Sequence, residues 1–259
     1  MNELTTTRIR DTAARLGLPH LADHLPDLVK RAETDQMGYL DFLDLVTGEE
    51  AGIKDDRRFR NALRLSRLPH HKTLDDFDFT FQPDLDVRKI RDLAALGFIE
   101  AHANLALLGP PGVGKTHLAV SLAVAACQAG YCVYFTTLNT LAGKLRAADT
   151  AGRLDRQLRP YLRPHLLLID EVGYLPLDRV DANLVFQLTS RRYEKGSTII
   201  TSNKSFSEWG QVFTDEVLAT AILDRFLHHC DVLTINGPSW RLKDRLTNDP
   251  NNPPPTDTP

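Results

Sequence analysis

Cysteine is scarce in this 259-residue chain: Cys127, Cys132 and Cys230 are the three present. Their number is odd and none stands at a paired metal-ligand spacing, which excludes a disulfide framework and a cysteine zinc site as organising devices. Reduced, buried thiols in a cytoplasmic protein are the expectation. Long apolar runs are also lacking. The longest, Leu118 to Cys127, is interrupted by Ser121 and is too short to cross a bilayer, so no membrane partner is expected. The opening residues, MNELTTTRIR, carry no apolar core of the kind a secretory signal needs. Nor is there a strong charge of either sign: the formal net charge is −3, so any basic surface for nucleic acid has to be local.

What is present centres on Asn104 to Thr116, NLALLGPPGVGKT. An apolar run, Leu105 to Leu108, reads as a short buried parallel strand. A turn through Gly109, Pro110, Pro111, Gly112, Val113 and Gly114 then enters an apolar-periodic segment at Lys115 and Thr116. This is the G-x-x-x-x-G-K-T phosphate-binding pattern in its strand–loop–helix setting. Glycines let the backbone curl so that successive N–H groups face a polyphosphate. The helix start adds its positive dipole end, Lys115 can reach the β- and γ-phosphates, and the Thr116 hydroxyl can ligate Mg²⁺. The chain is expected to bind a nucleoside triphosphate.

Residues 1 to about 75 show helical spacing and no strand-like alternation, with Gly48 as a stop for the third apolar set. His70 to Phe81 lacks periodicity and reads as a linker with aromatic anchors, and Asp84 to Gly97 as a helix ending at its glycine. From Ala103 onward strands and helices alternate, the pattern of a parallel sheet with crossovers. The expected strands after the first are Tyr131–Thr136, Leu166–Ile169, Ser197–Thr201 and Asp231–Ile235. The resulting organisation is an α/β, three-layer parallel-sheet P-loop NTPase core over 76–247, with a small all-helical domain over 1–75. The tail 248–259, NDPNNPPPTDTP, cannot bury surface and is expected to be disordered.

Leu166 to Glu171, LLLIDE, is an apolar strand ending in two carboxylates. Asp170 at the carboxyl end of a strand suits Mg²⁺ coordination, and Glu171 can orient and deprotonate an attacking water. Ser197 to Asn203, STIITSN, ends a strand with an amide suited to the γ-phosphate or the lytic water. Arg225 lies on a helix from which it could meet a neighbouring subunit's nucleotide, and Arg241 is a second candidate nucleotide-sensing arginine. His228, His229 and Cys230 have no further ligand at suitable sequence spacing and read as packing and surface.

Two stretches are locally basic. Arg57 to Lys72 holds six Lys or Arg and no acid, with Arg57, Arg60, Arg64 and Arg67 at the spacing of one helix face. Lys144 to Arg163 sets six positive charges, among them Lys144, Arg146 and Arg153, against Asp149 and Asp155. Both read as surfaces for DNA phosphates.

With these residues in view the chain resembles the IstB-like family of AAA+ ATPases, helpers of insertion-sequence transposition related to the DnaC helicase loaders. The resemblance covers about residues 4–247. It rests on GPPGVGKTHLA (109–119), LLLIDEVGYLPLD (166–178), TIITSNKSFSEWGQVF (198–213), AILDRFLHH (221–229) and the upstream LPHHKTLDDFDFTF (68–81). It implies an additional-strand AAA+ core, with Lys115, Thr116 and the preceding loop, and His117 beside them, around ATP. It further implies Asp170 and Glu171 as the Mg²⁺ and water-activating acids, Asn203 as sensor and Arg225 as an arginine finger in trans. The implied activity is DNA-stimulated ATP hydrolysis by a homo-oligomer on duplex DNA, which delivers target DNA to an integrase-type transposase. A helicase loader and a non-hydrolysing ATP-dependent scaffold are the alternatives; Glu171 argues against the scaffold.

Overall fold

The computed structural model describes residues 3–242 and divides the chain into two compact units, Met1–Asn61 and Ala62–Pro259. The division lies within a helix and earlier than residue 75. The reason is local: residues 66–82 are bonded to the phosphate-loop helix and to the segment near residue 238. The tail expected from residue 248 lies outside the described residues.

The first unit holds α1 (Glu3–Arg15), α2 (Pro19–Thr34) and most of α3 (Tyr39–Ser66). Pro19 opens α2, where its missing N–H costs nothing. Ala13, Ala22, Leu25, Leu28 and Val46 are buried there. Glu49 accepts hydrogen bonds from His20 and Arg31, each at 2.9 Å, and the His20 bond leads in holding its carboxyl below the usual range. Gly48 does not stop α3, which runs on through Gly52 to Ser66. A mid-helix glycine costs only about 1 kcal/mol against alanine, and neither glycine forces a turn here.

The second unit is built on a five-stranded sheet of β1 (Asn104–Leu108), β2 (Val133–Thr137), β3 (Leu166–Val172), β4 (Ser197–Ser202) and β5 (Cys230–Thr234). All neighbours run parallel, in the order β2-β3-β4-β1-β5, so β4 is inserted between the loop strand β1 and the carboxylate strand β3. This is the additional-strand P-loop arrangement. The helix expected over 84–97 is α4 (Val87–Ala94), which ends ahead of Leu96, buried and left-handed at φ 65°; a short α5 (Gly97–Glu100) follows before β1.

Burial explains the strand sequences. Leu105 to Leu108 and Leu166 to Ile169 are buried on both faces, as a sheet covered on two sides requires. α6 (Lys115–Gln128) is apolar almost all round and packs against β1, β2, β3 and β4. On the opposite face Ala106, Leu108, Leu167, Ile169 and Ile200 enter a core with α7 (Leu138–Thr150), α9 (Arg179–Arg192) and α11 (Glu216–Leu227). The basic stretch after α7 folds as α8 (Leu154–Leu162), with Leu158 and Tyr161 buried. A short α10 (Trp209–Phe213) precedes α11. Arg192 is 4% exposed and donates to the carbonyls of Tyr161, Pro164 and Ser197 at 2.6–3.0 Å. Burial pulls its pKa down to about 10, and those carbonyls solvate the guanidinium at the amino ends of β3 and β4. Of the three thiols, Cys127 is buried, but Cys132 is exposed just ahead of the edge strand β2.

Candidate nucleotide site

At the carboxyl ends of the strands lies a cleft of about 530 Å³. Its floor is the loop between β1 and α6. Gly112 and Gly114 hold φ of 87° and 99°, where a side chain would be strained. A Cβ on Gly114 would come within 2.6 Å of the Phe77 ring, and one on Gly112 within 2.0 Å of the Ser239 hydroxyl. The loop thus needs both the conformation and the space that glycine alone supplies, and it begins α6, so N–H groups and a helix dipole converge on the cleft. Val113 is buried beneath the loop, whereas Pro110 and Pro111 are exposed and outside the cleft lining.

Lys115 is 6% exposed, and its ammonium donates to the carbonyls of Gly109 and Pro110, both at 2.7 Å. Burial pulls its pKa down to about 8, only partly offset by Asp170. A buried cation with no carboxylate bonded to it is an anion-binding group in want of an anion. Thr116 donates to Asp170 Oδ1 at 2.9 Å, joining the start of α6 to the end of β3.

The two acids of β3 reach this cleft by an irregularity. Successive side chains of a regular strand point to opposite faces. Here the β3–β4 register shifts between Ile169 and Val172, and Glu171 takes φ 63°. With that bulge, buried Asp170 and exposed Glu171 both line the cleft. Thr201 of β4 supports both: its hydroxyl donates to Asp170, and it accepts the Glu171 backbone N–H at 3.1 Å.

Other residues join from far along the chain. His70, Lys72, Asp76, Phe77 and Phe81 form one wall, and Trp240 and Arg241 another. Gln82 ties them, donating to the Pro238 carbonyl at 3.1 Å, and Trp240 crosses Phe81 edge to face at 4.9 Å. His117 contacts the Thr73 carbonyl at 3.2 Å and packs against Phe77. Residues 68–81 and Thr201 lie in segments that carry the family resemblance, but the sequence singles none of them out for the site; the linker reads only as holding aromatic anchors.

Asn203 is not among the cleft residues. Its Oδ1 is buried and without a partner, beside the turn at Gly173, where a Cβ would lie 3.0 Å away. Arg225 is also outside the cleft of its own chain; it sits 4.7 Å over the Phe186 ring and donates to the Ala221 carbonyl. Among the basic residues, Arg57, Arg60, Arg64, Arg67, Lys144 and Arg153 are exposed. Arg67 lies 5.3 Å over the Tyr134 ring. Arg146 is committed internally, bonded to Asp178 and, at 2.7 Å, to Asp181.

Comparison with known proteins agrees with this geometry. The family model described as IstB-like ATP binding protein matches residues 11–248. An insertion sequence IS21 putative ATP-binding protein of Pseudomonas aeruginosa is 47% identical over 90% of this chain and 88% of its own length. An insertion sequence IS5376 putative ATP-binding protein of Geobacillus stearothermophilus is 45% identical over 92% and 95%. Among solved structures, a DnaC helicase loader superposes with a TM-score of 0.51 at 25% identity, covering 57% of this chain and 86% of that one. The AMPPCP-bound DnaA from Aquifex aeolicus, at 22% identity and a TM-score of 0.54 over 70% and 56%, shares the fold. With a phosphate-binding loop, a buried lysine and a carboxylate pair on an additional-strand sheet, the chain belongs to the IstB-like ATP-binding proteins of insertion sequences.

Proposed function

We propose that the chain hydrolyses ATP in this cleft and, as a homo-oligomer assembled on duplex DNA, assists an integrase-type transposase. The observation that carries the catalytic part is the bulge that turns Asp170 and Glu171 into one cleft, with Asp170 joined to Thr116. The loop N–H groups and Lys115 bind and orient the triphosphate. Thr116 and Asp170 are an oxygen donor set that fits Mg²⁺, which would neutralise charge on the β- and γ-phosphates. Glu171, exposed to solvent, takes the proton of the attacking water. Arg225, held away from its own cleft, serves a neighbouring subunit's nucleotide, and Asn203 reports from the end of β4. Lys115 and Arg241 hold positive charge against the developing phosphate charge.

The DNA part is supported by the exposed cations of α3 and α7, by Arg67 and Arg153 just beyond those helices (Arg67, at φ 59°, has left the expected helix face), and by the insertion-sequence context of the relatives. Its test is a series of duplex-binding isotherms against salt, with and without ATP. Replacing Arg57, Arg60, Arg64 and Arg67 with Ala should flatten the log-affinity versus log-salt slope by up to about 0.9 per lost phosphate contact. Replacing Lys144 and Arg153 should do the same, more strongly with ATP. Arg146→Ala should leave the slope unchanged, because its charge is already taken by Asp178 and Asp181. Slopes equal to wild type in the first two variants contradict the DNA role. The likeness to a DnaC loader supports helicase loading as the second reading; preference for single strands over duplex would favour it.

A further inference from the structure

At the amino end of the sheet, away from the nucleotide cleft, α11 ends and β5 begins at the adjacent pair His228 and His229. Beyond the adjacent Cys230, sequence spacing offers these histidines no further ligand, but the fold supplies one. Glu194, two residues past the end of α9, lies with its Oε1 3.6 Å from His229 Nε2 and 3.9 Å from His228 Nδ1. One ligand atom from each of the three lies within 4.8 Å of the others, and all three side chains are exposed. Glu194 is placed there by a left-handed backbone, φ 56°, that a non-glycine residue adopts at a cost of about 1–2 kcal/mol.

We propose that Glu194, His228 and His229 form a binding site for a divalent cation of the zinc type. Two imidazoles and one carboxylate are the donor set of three-ligand zinc sites that keep a fourth position for water. Bonds of about 2.0–2.1 Å in a tetrahedron place ligand atoms about 3.3 Å apart, so the 3.6 and 3.9 Å separations close with small side-chain movements. Imidazole favours zinc, copper and nickel over magnesium, which separates this site from the Thr116–Asp170 pair, an all-oxygen set. The Tyr193 hydroxyl now contacts His228 Nδ1 at 2.8 Å; it orients the ring in the free protein and gives way to the ion.

The site has a mechanical consequence. It ties the end of α9 to the end of α11, one turn beyond Arg225, whose guanidinium already stacks on Phe186 of α9. A bound ion clamps the helix pair that carries this arginine, and Asp170 and Lys115 are untouched.

The test uses the full chain, freed of metal with a chelator and titrated with Zn²⁺ by calorimetry, and with Co²⁺ by visible absorption. Wild type is expected to bind one ion, with a cobalt spectrum of tetrahedral intensity. Glu194→Gln and His229→Ala, both at exposed positions, should each weaken binding tenfold or more, while ATP affinity stays at the wild-type value. Cys132→Ser should bind as wild type, since the exposed thiol is not in the site. Tyr193→Phe, which frees His228 Nδ1, should bind at least as tightly as wild type. Absence of saturable binding in wild type, or equal affinity in Glu194→Gln and His229→Ala, overturns the site.

Discussion

The Thr201 hydroxyl donates to the Asp170 carboxylate while accepting the backbone N–H of Glu171, so one side chain of β4 holds the two acids of β3 in their different directions. Thr201 is 2% exposed, and its bond to Asp170 is buried. Thr201→Val keeps the shape and removes both bonds, leaving the part-buried Glu171 N–H and the Asp170 carboxylate without their protein partner at a cost of up to about 1–3 kcal/mol. ATP turnover should fall at least tenfold, while KM for ATP changes by less than about threefold. Thr201→Ser should restore most of the rate. Steady-state kinetics of the two variants checks this; equal losses in both would assign Thr201 to packing alone.

The contrast between Lys115 and Thr201 shows where sequence suffices. The loop from Gly109 to Thr116 was legible because strand, turn and helix start are consecutive, and so was Asp170, because an apolar run ends at it. Both Asp170 and Glu171 were expected at the nucleotide, but how neighbours on a strand reach one cleft was not legible: strand periodicity puts them on opposite faces, and the bulge opposite β4 reverses this. The order of the parallel strands was expected as a class, while the cleft walls at 70–82 and 240–241 are brought together by the Gln82–Pro238 bond, across 156 residues, and by the Phe81–Trp240 ring contact. Gly48 misled as a helix stop because local propensity of about 1 kcal/mol yields to the surrounding helix formers. The helix end expected at Gly97 falls just before it, at Leu96, where burial rather than residue type holds the left-handed turn. Glu194 lies 34–35 residues from the histidines it faces, beyond any spacing rule.

Lys115 couples nucleotide binding to pH. Burial has drawn its pKa from 10.5 to about 8, so the free protein loses this charge as pH rises through about 8. A triphosphate beside it favours the ammonium and raises that pKa again. The bound state therefore holds more protons than the free state above pH 8, and affinity for ATP should fall as pH rises from 8 to 9.5. Calorimetry in buffers of different ionisation heat should show proton uptake on binding at pH 9 and much less at pH 7. Affinity that is flat across this window, with no uptake, would remove Lys115 as the coupled group.

Arg225 is predicted to act across a subunit boundary. Lys115→Ala and Arg225→Ala proteins should each be inactive alone, and mixing them should restore part of the hydrolysis. One subunit keeps a working cleft and its neighbour lends the arginine. Phosphate release from the mixture is the readout, with mixed oligomers verified by size. No recovery would leave Arg225 as a residue that packs α11 onto Phe186.

The central claim is that the Asp170–Glu171 bulge makes this cleft a hydrolytic site, with binding and proton removal divided between different residues. Glu171→Gln separates them most directly. The amide preserves the backbone N–H bond to Thr201 and the size of the side chain, but it cannot take a proton from water. The measurement is a paired determination on one preparation, ATP affinity by direct titration and phosphate release under single-turnover conditions. Affinity within about threefold of wild type with hydrolysis reduced at least a hundredfold is the predicted result. Hydrolysis at the wild-type rate would contradict it.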